Sequence, residues 1–236
     1  MSDPIVSIVT STFNRALVVR GAIESVLGQS FKDWEMCVVG DCTPDDTAGT
    51  VASFKDERLR FFNLPEKSPP GSHGAIAKNY ALQKMARGKF IAYLDDDDVY
   101  LPEHLSVMVG FLQAHPQCQF AYCRCAYRDK KTGNKILGNP FQRWLHGYSR
   151  EKLKRYNFID TDCVVHRKSV LDEVGYWNPE FYFDDYELWL RISEKYELHH
   201  VNRVLVDKFV EEPPFVVRAV QKGLRILRHG RTTPLK

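Results

Sequence analysis

The run Phe90-Ile91-Ala92-Tyr93-Leu94-Asp95-Asp96-Asp97-Asp98, followed by Val99-Tyr100-Leu101-Pro102, decides the fold. Five residues of buried-strand character lead straight into four consecutive carboxylates. Pro102 then stands where a helix would begin, its φ pre-set for a first turn. Four adjacent negative charges repel one another, so a plain turn gains nothing from them. A divalent cation removes the conflict. The strand period puts Asp95 and Asp97 on one side, with Cα atoms ~7 Å apart. Hard cations such as Mg²⁺ or Mn²⁺ take carboxylate oxygens at ~2.1 Å and commonly keep waters and substrate phosphates. One of the two carboxylates would bind the metal directly, the other through water or the ligand. An isolated acidic run would read as a solvated loop. This one sits at the carboxyl end of an apolar strand, where open α/β sheets bind ligands, which favours a metal–phosphate site.

Working outward, Val6–Thr12 reads as a buried first strand, and Ala16 to Gly28 as a helix with Val19, Ile23, Val26 and Leu27 at helical spacing. Trp34–Val39 is the second strand, closed by Gly40-Asp41-Cys42-Thr43. A helix over Asp45–Phe54 and a third strand over Leu59–Leu64 follow. Lys67–Gly74 is a breaker-rich loop ahead of a helix from Ala75 to about Ala86. Phe90–Leu94 is the fourth strand and Pro102–Ala114 the next helix. This alternation predicts a parallel, nucleotide-binding α/β sheet flanked by helices. Beyond a strand at Gln119–Arg128 the pattern loosens, and residues 129–160 are irregular apart from one helix near Arg150–Tyr156. Cys163–His166 and Leu198–Val206 read as strands, Lys168–Val174 and Asp184–Lys195 as helices, and Phe215–His229 as a basic, amphipathic last helix.

A chain of 236 residues with 44% hydrophobic and 27% charged residues suits a soluble globular domain. The net charge of +3 is unevenly placed: residues 213–236 carry six Lys or Arg and no acid. The remaining body is slightly acidic, which argues against a nucleic-acid binder. Six cysteines at 37, 42, 118, 123, 125 and 163 show no zinc-type spacing. With no signal peptide and no apolar run of membrane length, the expectation is a cytoplasmic protein with reduced thiols, Cys123 and Cys125 on one face of a strand.

Three loops at carboxyl ends of strands carry chemistry. Ser11-Thr12-Phe13-Asn14-Arg15 offers hydroxyls, an aromatic face and a cation. Asp41, an acceptor when ionised, can take the imide N–H of uracil or thymine or the N1–H of guanine. The acidic run is the third. Singly, Asp41 could be a turn or capping residue and Phe13 core; together the three describe a nucleoside-diphosphate pocket. Lys78-Asn79 adds a cation and an amide, although a helical Lys is usually solvated surface. A second acidic centre, Asp184-Asp185, opens the helix whose apolar face is Leu188, Trp189 and Ile192. Those acids either favour the helix dipole or supply a general base for a sugar hydroxyl. His199 and His200 read as structural; His166-Arg167-Lys168 fits either a phosphate or acceptor contact or a charged strand-to-helix turn.

In that order these residues resemble the family 2 inverting glycosyltransferases of the GT-A fold. Val6–Arg15 looks like the family's first strand, Ser25–Phe31 like its helix-to-strand turn, and Lys78-Asn79 like a segment that is usually Arg-Asn. Asp95-Asp96-Asp97 fits the Asp-x-Asp motif with Pro102 at the expected offset. Val174-Gly175-Tyr176-Trp177 and Asp184-Asp185 resemble the later glycine-aromatic turn and acidic pair. The resemblance spans residues 5–195. It implies Ser11, Phe13, Arg15 and Asp41 around base and ribose, Asp96 at the ribose, Lys78 and Asp95 on the donor, Asp97 as the metal ligand and Asp185 as catalytic base. It departs at Gly40, where an acid often precedes Asp41, at Lys78 for Arg, and at Asp184 for Glu. The strand ending Val206-Asp207-Lys208-Phe209 lacks a His that many members carry. Gln142-Arg143-Trp144 is too short, and too early, for the processive Gln-x-x-Arg-Trp motif.

The expectation is one GT-A domain over 1–236: a nucleotide-sugar half (1–115), an acceptor and catalytic half (116–212) and a basic C-terminal helix (213–236). It would be a non-processive transferase of polysaccharide biosynthesis, using Mn²⁺ or Mg²⁺. One sugar would pass from a UDP, dTDP or GDP sugar, UDP favoured, to a glycan or lipid-linked acceptor. The basic helix either packs on the body or touches an anionic membrane, at its inner face. A sugar-phosphate nucleotidyltransferase, which would carry a Gly-rich phosphate loop after the first strand, and a non-catalytic carbohydrate-binding module are the alternatives.

Overall fold

The structure is a computed structural model that describes residues 3–136 and 147–211. The basic segment 213–236 and Gln142-Arg143-Trp144 lie outside the described residues.

Strands β1 (Val6–Thr12), β2 (Trp34–Gly40), β3 (Leu59–Asn63) and β4 (Phe90–Tyr93) are mutually parallel. Alternate residues of these strands enter opposite cores, as the period of two requires. Ile8, Met36, Val38, Phe90 and Ala92 pack with Val19, Ile23 and Val26 of α1 (Val19–Leu27). Leu105, Met108 and Leu112 of α4 (His104–Ala114) close the same side. On the other face Val9, Cys37, Val39, Ile91 and Tyr93 meet Ala77 of α3 (Ala75–Tyr80), with Ala81 and Leu82 of the π-helical turn that continues it. Each buried Val, Leu, Ile, Phe or Met among them contributes about 1.5–3 kcal/mol. A strand buried on both faces needs no polar alternation, hence the unbroken apolar run of β4. A short α2 (Thr47–Ala52), capped by the Asp46 carboxylate on the Gly49 N–H at 3.0 Å, links β2 to β3.

The second half is mixed. β7 (Val164–Arg167) runs antiparallel to β4 on one side and to β6 (Phe120–Asp129) on the other. β8 (Leu198–Val210) lies parallel to β6, and the two-residue β5 (Val99–Tyr100) pairs antiparallel with β8. The sheet order is β3-β2-β1-β4-β7-β6-β8-β5. Helices α5 (Arg150–Leu153), α6 (Ser169–Val174) and α7 (Asp184–Lys195) complete this half. Leu188, Trp189 and Ile192 of α7 join the same core as Ile91 and Tyr93. The expected bounds of the first strand and of the Asp184–Lys195 helix match those observed. No disulfide joins the cysteines; Cys123, Cys125 and Cys163 share one core.

One local expectation needs correcting. β4 ends at Tyr93, and Asp95–Asp98 form a turn in which the Asp98 N–H reaches the Asp95 carbonyl at 3.3 Å. Strand alternation therefore does not order the four carboxylates. The chain reverses through them into β5, which runs back along β8.

Candidate active site

The carboxyl ends of β1, β2 and β4 open into a cavity of about 630 Å³. Ser11, Phe13, Arg15, Asp41, Asp95, Asp96 and Asp97 line it, together with the loop from Lys67 to Gly74. Seven residues singled out in the sequence thus converge on one space. The loop can press this close because residue 74 is glycine. Its φ is +83°, and a Cβ there would lie 2.6 Å from the Ser11 Oγ. Gly40 is equally confined: a Cβ would meet the Asn63 Oδ1 at 2.6 Å.

Asp41 is held, not merely present. The Lys67 ammonium donates to one carboxylate oxygen at 2.6 Å, and the Ser68 N–H and hydroxyl donate to the other at 2.9 and 2.6 Å. Burial opposes ionisation, but these donors outweigh it and hold the carboxyl below the usual range. Lys67 also lies over the Phe13 ring, 3.3 Å from its centroid. Phe13 keeps 42% of its surface exposed, so an aromatic face is presented to the cavity. Asp46, not Asp41, caps the following helix.

The four acids of the turn divide their work. Asp96 is buried and accepts from the Thr12 hydroxyl at 2.6 Å and from Arg15 at 2.7 Å; burial raises its pKa against those bonds. Asp97 is half-buried, with Arg15 at 3.1 Å and Lys130 at 3.6 Å. Asp98 turns inward to the Lys208 ammonium at 2.8 Å and the Phe209 N–H at 2.8 Å. Asp95 lines the cavity with its carboxylate 3.6 Å from Lys208. Asp95 and Asp97 are hard oxygen donors on a polar wall, the donor chemistry that Mg²⁺ or Mn²⁺ requires. The residues therefore fit a divalent cation.

At the start of α7 the two carboxylates separate. Asp184 is buried and pairs with Lys78 at 3.3 Å. Lys78 is itself buried over the Trp177 ring, so the structure places it behind the cavity wall rather than on it. Asn79 clamps the glycine-aromatic turn by giving and receiving a bond with the Trp177 backbone, at 2.8 and 3.0 Å. Asp185 accepts from Asn157 at 3.0 Å, Thr161 at 3.4 Å and the Tyr186 N–H at 2.6 Å. Burial, reinforced by the charges of Asp184 and Asp160, raises its pKa against the bonds from Tyr186 and Asn157. A partly exposed carboxyl of raised pKa at a helix start suits proton abstraction. Asp185 does not line the donor cavity. One bridge between the two is the edge-on contact of His73, on the cavity wall, with Tyr182 at 4.4 Å.

His166 and His200 are structural. His166 is buried against the Tyr93 hydroxyl at 2.9 Å, with its pKa lowered to about 4 by burial. Arg167 donates to the Cys118 and Leu112 carbonyls and Lys168 to that of Ala86, so this segment is the strand-to-helix turn. His200 stacks on Tyr122. Sequence reading missed Lys67, Ser68, Asn157, Asp160, Asp162 and Lys208. Only Lys208 left a sign, as the departure from the histidine pattern at 206–209.

An α/β sheet with a nucleotide-sized cavity at its parallel carboxyl ends and an acidic turn on the rim has the architecture of the GT-A fold. The chain belongs to glycosyl transferase family 2, whose model matches residues 7–175. A glycosyltransferase of Rickettsia typhi, itself uncharacterised, is 30% identical over 84% of this chain and 63% of its own length. The Escherichia coli UDP-Glc:alpha-D-GlcNAc-diphosphoundecaprenol beta-1,3-glucosyltransferase WfgD is 29% identical over 86% of this chain and 75% of its own. Mannosyltransferase PcManGT of Pyrobaculum calidifontis, solved with GDP-Man and Mn²⁺, shares the fold. Its TM-score is 0.68 at 18% identity, over 99% of this chain and 67% of that one. The chain spans less than two thirds of the Rickettsia relative.

Proposed function

We propose that this glycosyltransferase moves single sugars from a UDP sugar to a hydroxyl of a lipid-linked glycan, with inversion at the anomeric carbon. The observation that carries the reading is the division of labour among its aspartates. Asp41 and Phe13 offer an acceptor and a stacking face for a base; Ser11, Asp96, Arg15 and Asp97 line the same cavity. Asp185 stands apart, with the raised pKa of a proton acceptor. The activity named for the E. coli relative supports both the UDP donor and the lipid-linked acceptor. Family membership favours transfer over nucleotide-sugar synthesis or passive glycan binding.

Asp97, with Asp95 beside it, would hold a divalent cation, as the Mn²⁺ in the mannosyltransferase structure supports. When bound, such an ion supplies positive charge against the diphosphate leaving group. Arg15, already within 3.1 Å of Asp97, adds a fixed cation on the same side. Asp185 takes the proton of the acceptor hydroxyl as it attacks, and Asn157 and Thr161 fix the orientation of that carboxylate. The loop 67–74 walls the donor from water. Among the described residues no helix is long and apolar enough to cross a membrane. The undecaprenol-linked acceptor of the E. coli relative supports placing the site at the cytoplasmic membrane surface, where such an acceptor would be presented.

The test is calorimetric titration with UDP, dTDP and GDP in Mn²⁺, followed by UDP release from UDP-glucose with GlcNAc-diphosphoundecaprenol as acceptor. Tightest binding of UDP and acceptor-dependent release are expected. Absence of binding by any nucleoside diphosphate sinks the reading.

A further inference from the structure

Lys208, in β8, reaches four carboxylates: Asp162 at 2.7 Å, Asp98 at 2.8 Å, Asp160 at 3.0 Å and Asp95 at 3.6 Å. Oxygens of Asp95, Asp98 and Asp162 lie within 4.8 Å of one another, close enough to share a metal ion. An ammonium group stands among them instead. Three segments distant in sequence meet on this one nitrogen: the acidic turn, the turn at 160–163 and β8. Two backbone bonds reinforce the junction, Asp95 N–H to Asp162 at 2.7 Å and Phe209 N–H to Asp98 at 2.8 Å.

The junction faces both ways. Asp95 is the first residue of the acidic turn and lines the donor cavity. Thr161, between two of the carboxylates that Lys208 holds, donates to Asp185 at 3.4 Å. The cavity wall and the residue that orients the base are therefore tied to the same cation. Unneutralised, buried carboxylates at this spacing would repel and drive the two turns apart.

We propose that Lys208 is a positioning residue, a resident cation that fixes the donor-side acidic turn relative to the base-side turn. The proposal rests on the reading of Asp185 and Asp97 above. It makes the junction independent of any dissociable ion, because the cation is covalently part of β8.

Lys208→Met and Lys208→Arg test it, compared by UDP calorimetry in Mn²⁺, by turnover, and by melting temperature with and without Ca²⁺ in nucleotide-free buffer. Lys208→Met is expected to lose about tenfold in UDP affinity and at least that in turnover, with Lys208→Arg recovering most of both. Ca²⁺ should raise the melting temperature of Lys208→Met, through the vacated carboxylates, by clearly more than that of wild type. Lys208→Met that loses melting temperature alone, with affinity and turnover within about twofold of wild type, overturns the proposal. So does equal stabilisation of wild type by Ca²⁺. Should Lys208→Met not fold, Asp160→Asn carries the test, since three carboxylates still hold the ammonium. Its turnover on the high-pH plateau, where Asp185 is ionised in both proteins, should fall about three- to tenfold at unchanged UDP affinity; unchanged plateau turnover overturns the proposal. Wild type that binds no nucleotide is a different result, and refutes the proposed function itself.

Discussion

Asp41 and Asp185 are the same side chain in the two halves of the molecule, and the protein tunes them in opposite directions. Asp41, at the end of a parallel strand, is satisfied by three donors from one loop and held ionised. Asp185, at a helix start in the mixed half, is raised chiefly by burial. Linkage gives the two opposite signs. Asp41 stabilises the fold above the ordinary carboxyl pKa and loses that contribution as pH falls through its lowered value. The contribution of Asp185 is complete below the ordinary value and lost as pH rises through its raised one. A carboxylate that binds must not take protons; one that catalyses must.

The largest effect should come from erasing the proposed base. Asp185→Asn is expected to lower turnover by ~10²–10⁴ while UDP affinity holds. Its neighbour gives the contrast: Asp184→Asn should cost about 2–3 kcal/mol in denaturant unfolding, because Lys78 loses its ionic partner but keeps an acceptor, with turnover close to wild type. If Asp184→Asn is the dead variant, the base lies one residue earlier.

Next comes the metal. Chelation with EDTA should abolish transfer and Mn²⁺ restore it. Asp97→Asn should lose donor affinity and roughly 10² in turnover. Full activity in EDTA would remove the cation from the donor half. On the binding side, Asp41→Asn is expected to weaken UDP about tenfold, as loss of one charged hydrogen bond implies, at unchanged kcat. A kcat effect there would blur the contrast with Asp185.

The smallest effect is the most diagnostic. Asn157 donates to the Asp185 carboxylate and favours its ionised form. Asn157→Ala should therefore raise the pKa of the base and move the acid limb of kcat upward by about half a pH unit. A limb that stays fixed separates Asp185 from the titration.

Much of the donor half was legible because its signals are local. Apolar runs of strand length, ended by small or acidic residues, located β1, β2 and β4 and every aspartate at their tips. The acidic turn was misjudged because strand alternation was extended past Tyr93, where tertiary pairing with β8 takes over. β5 has two residues and no period to read. The insertion of β7 between β4 and β6 is a long-range choice with no local mark. Lys67 and Lys208 looked like ordinary surface lysines. Their roles depend on partners 26 residues away in one case and 46 or more in the other, a separation no pattern along the chain reports.

Lys67 gives the pocket an occupant of its own. It already covers Phe13 and bonds Asp41, while 48% of its side chain remains exposed. A base arriving at those two residues does not fill a space; it wins an exchange. The measured affinity is then the difference between two contacts, and modest values are to be expected even from a well-shaped partner. The departing side chain stays tethered beside the site, ready to reclaim it. On the proposed reading, nucleotide release would be assisted by a competitor at fixed, high local concentration, a useful property in an enzyme whose spent leaving group would otherwise block the next donor.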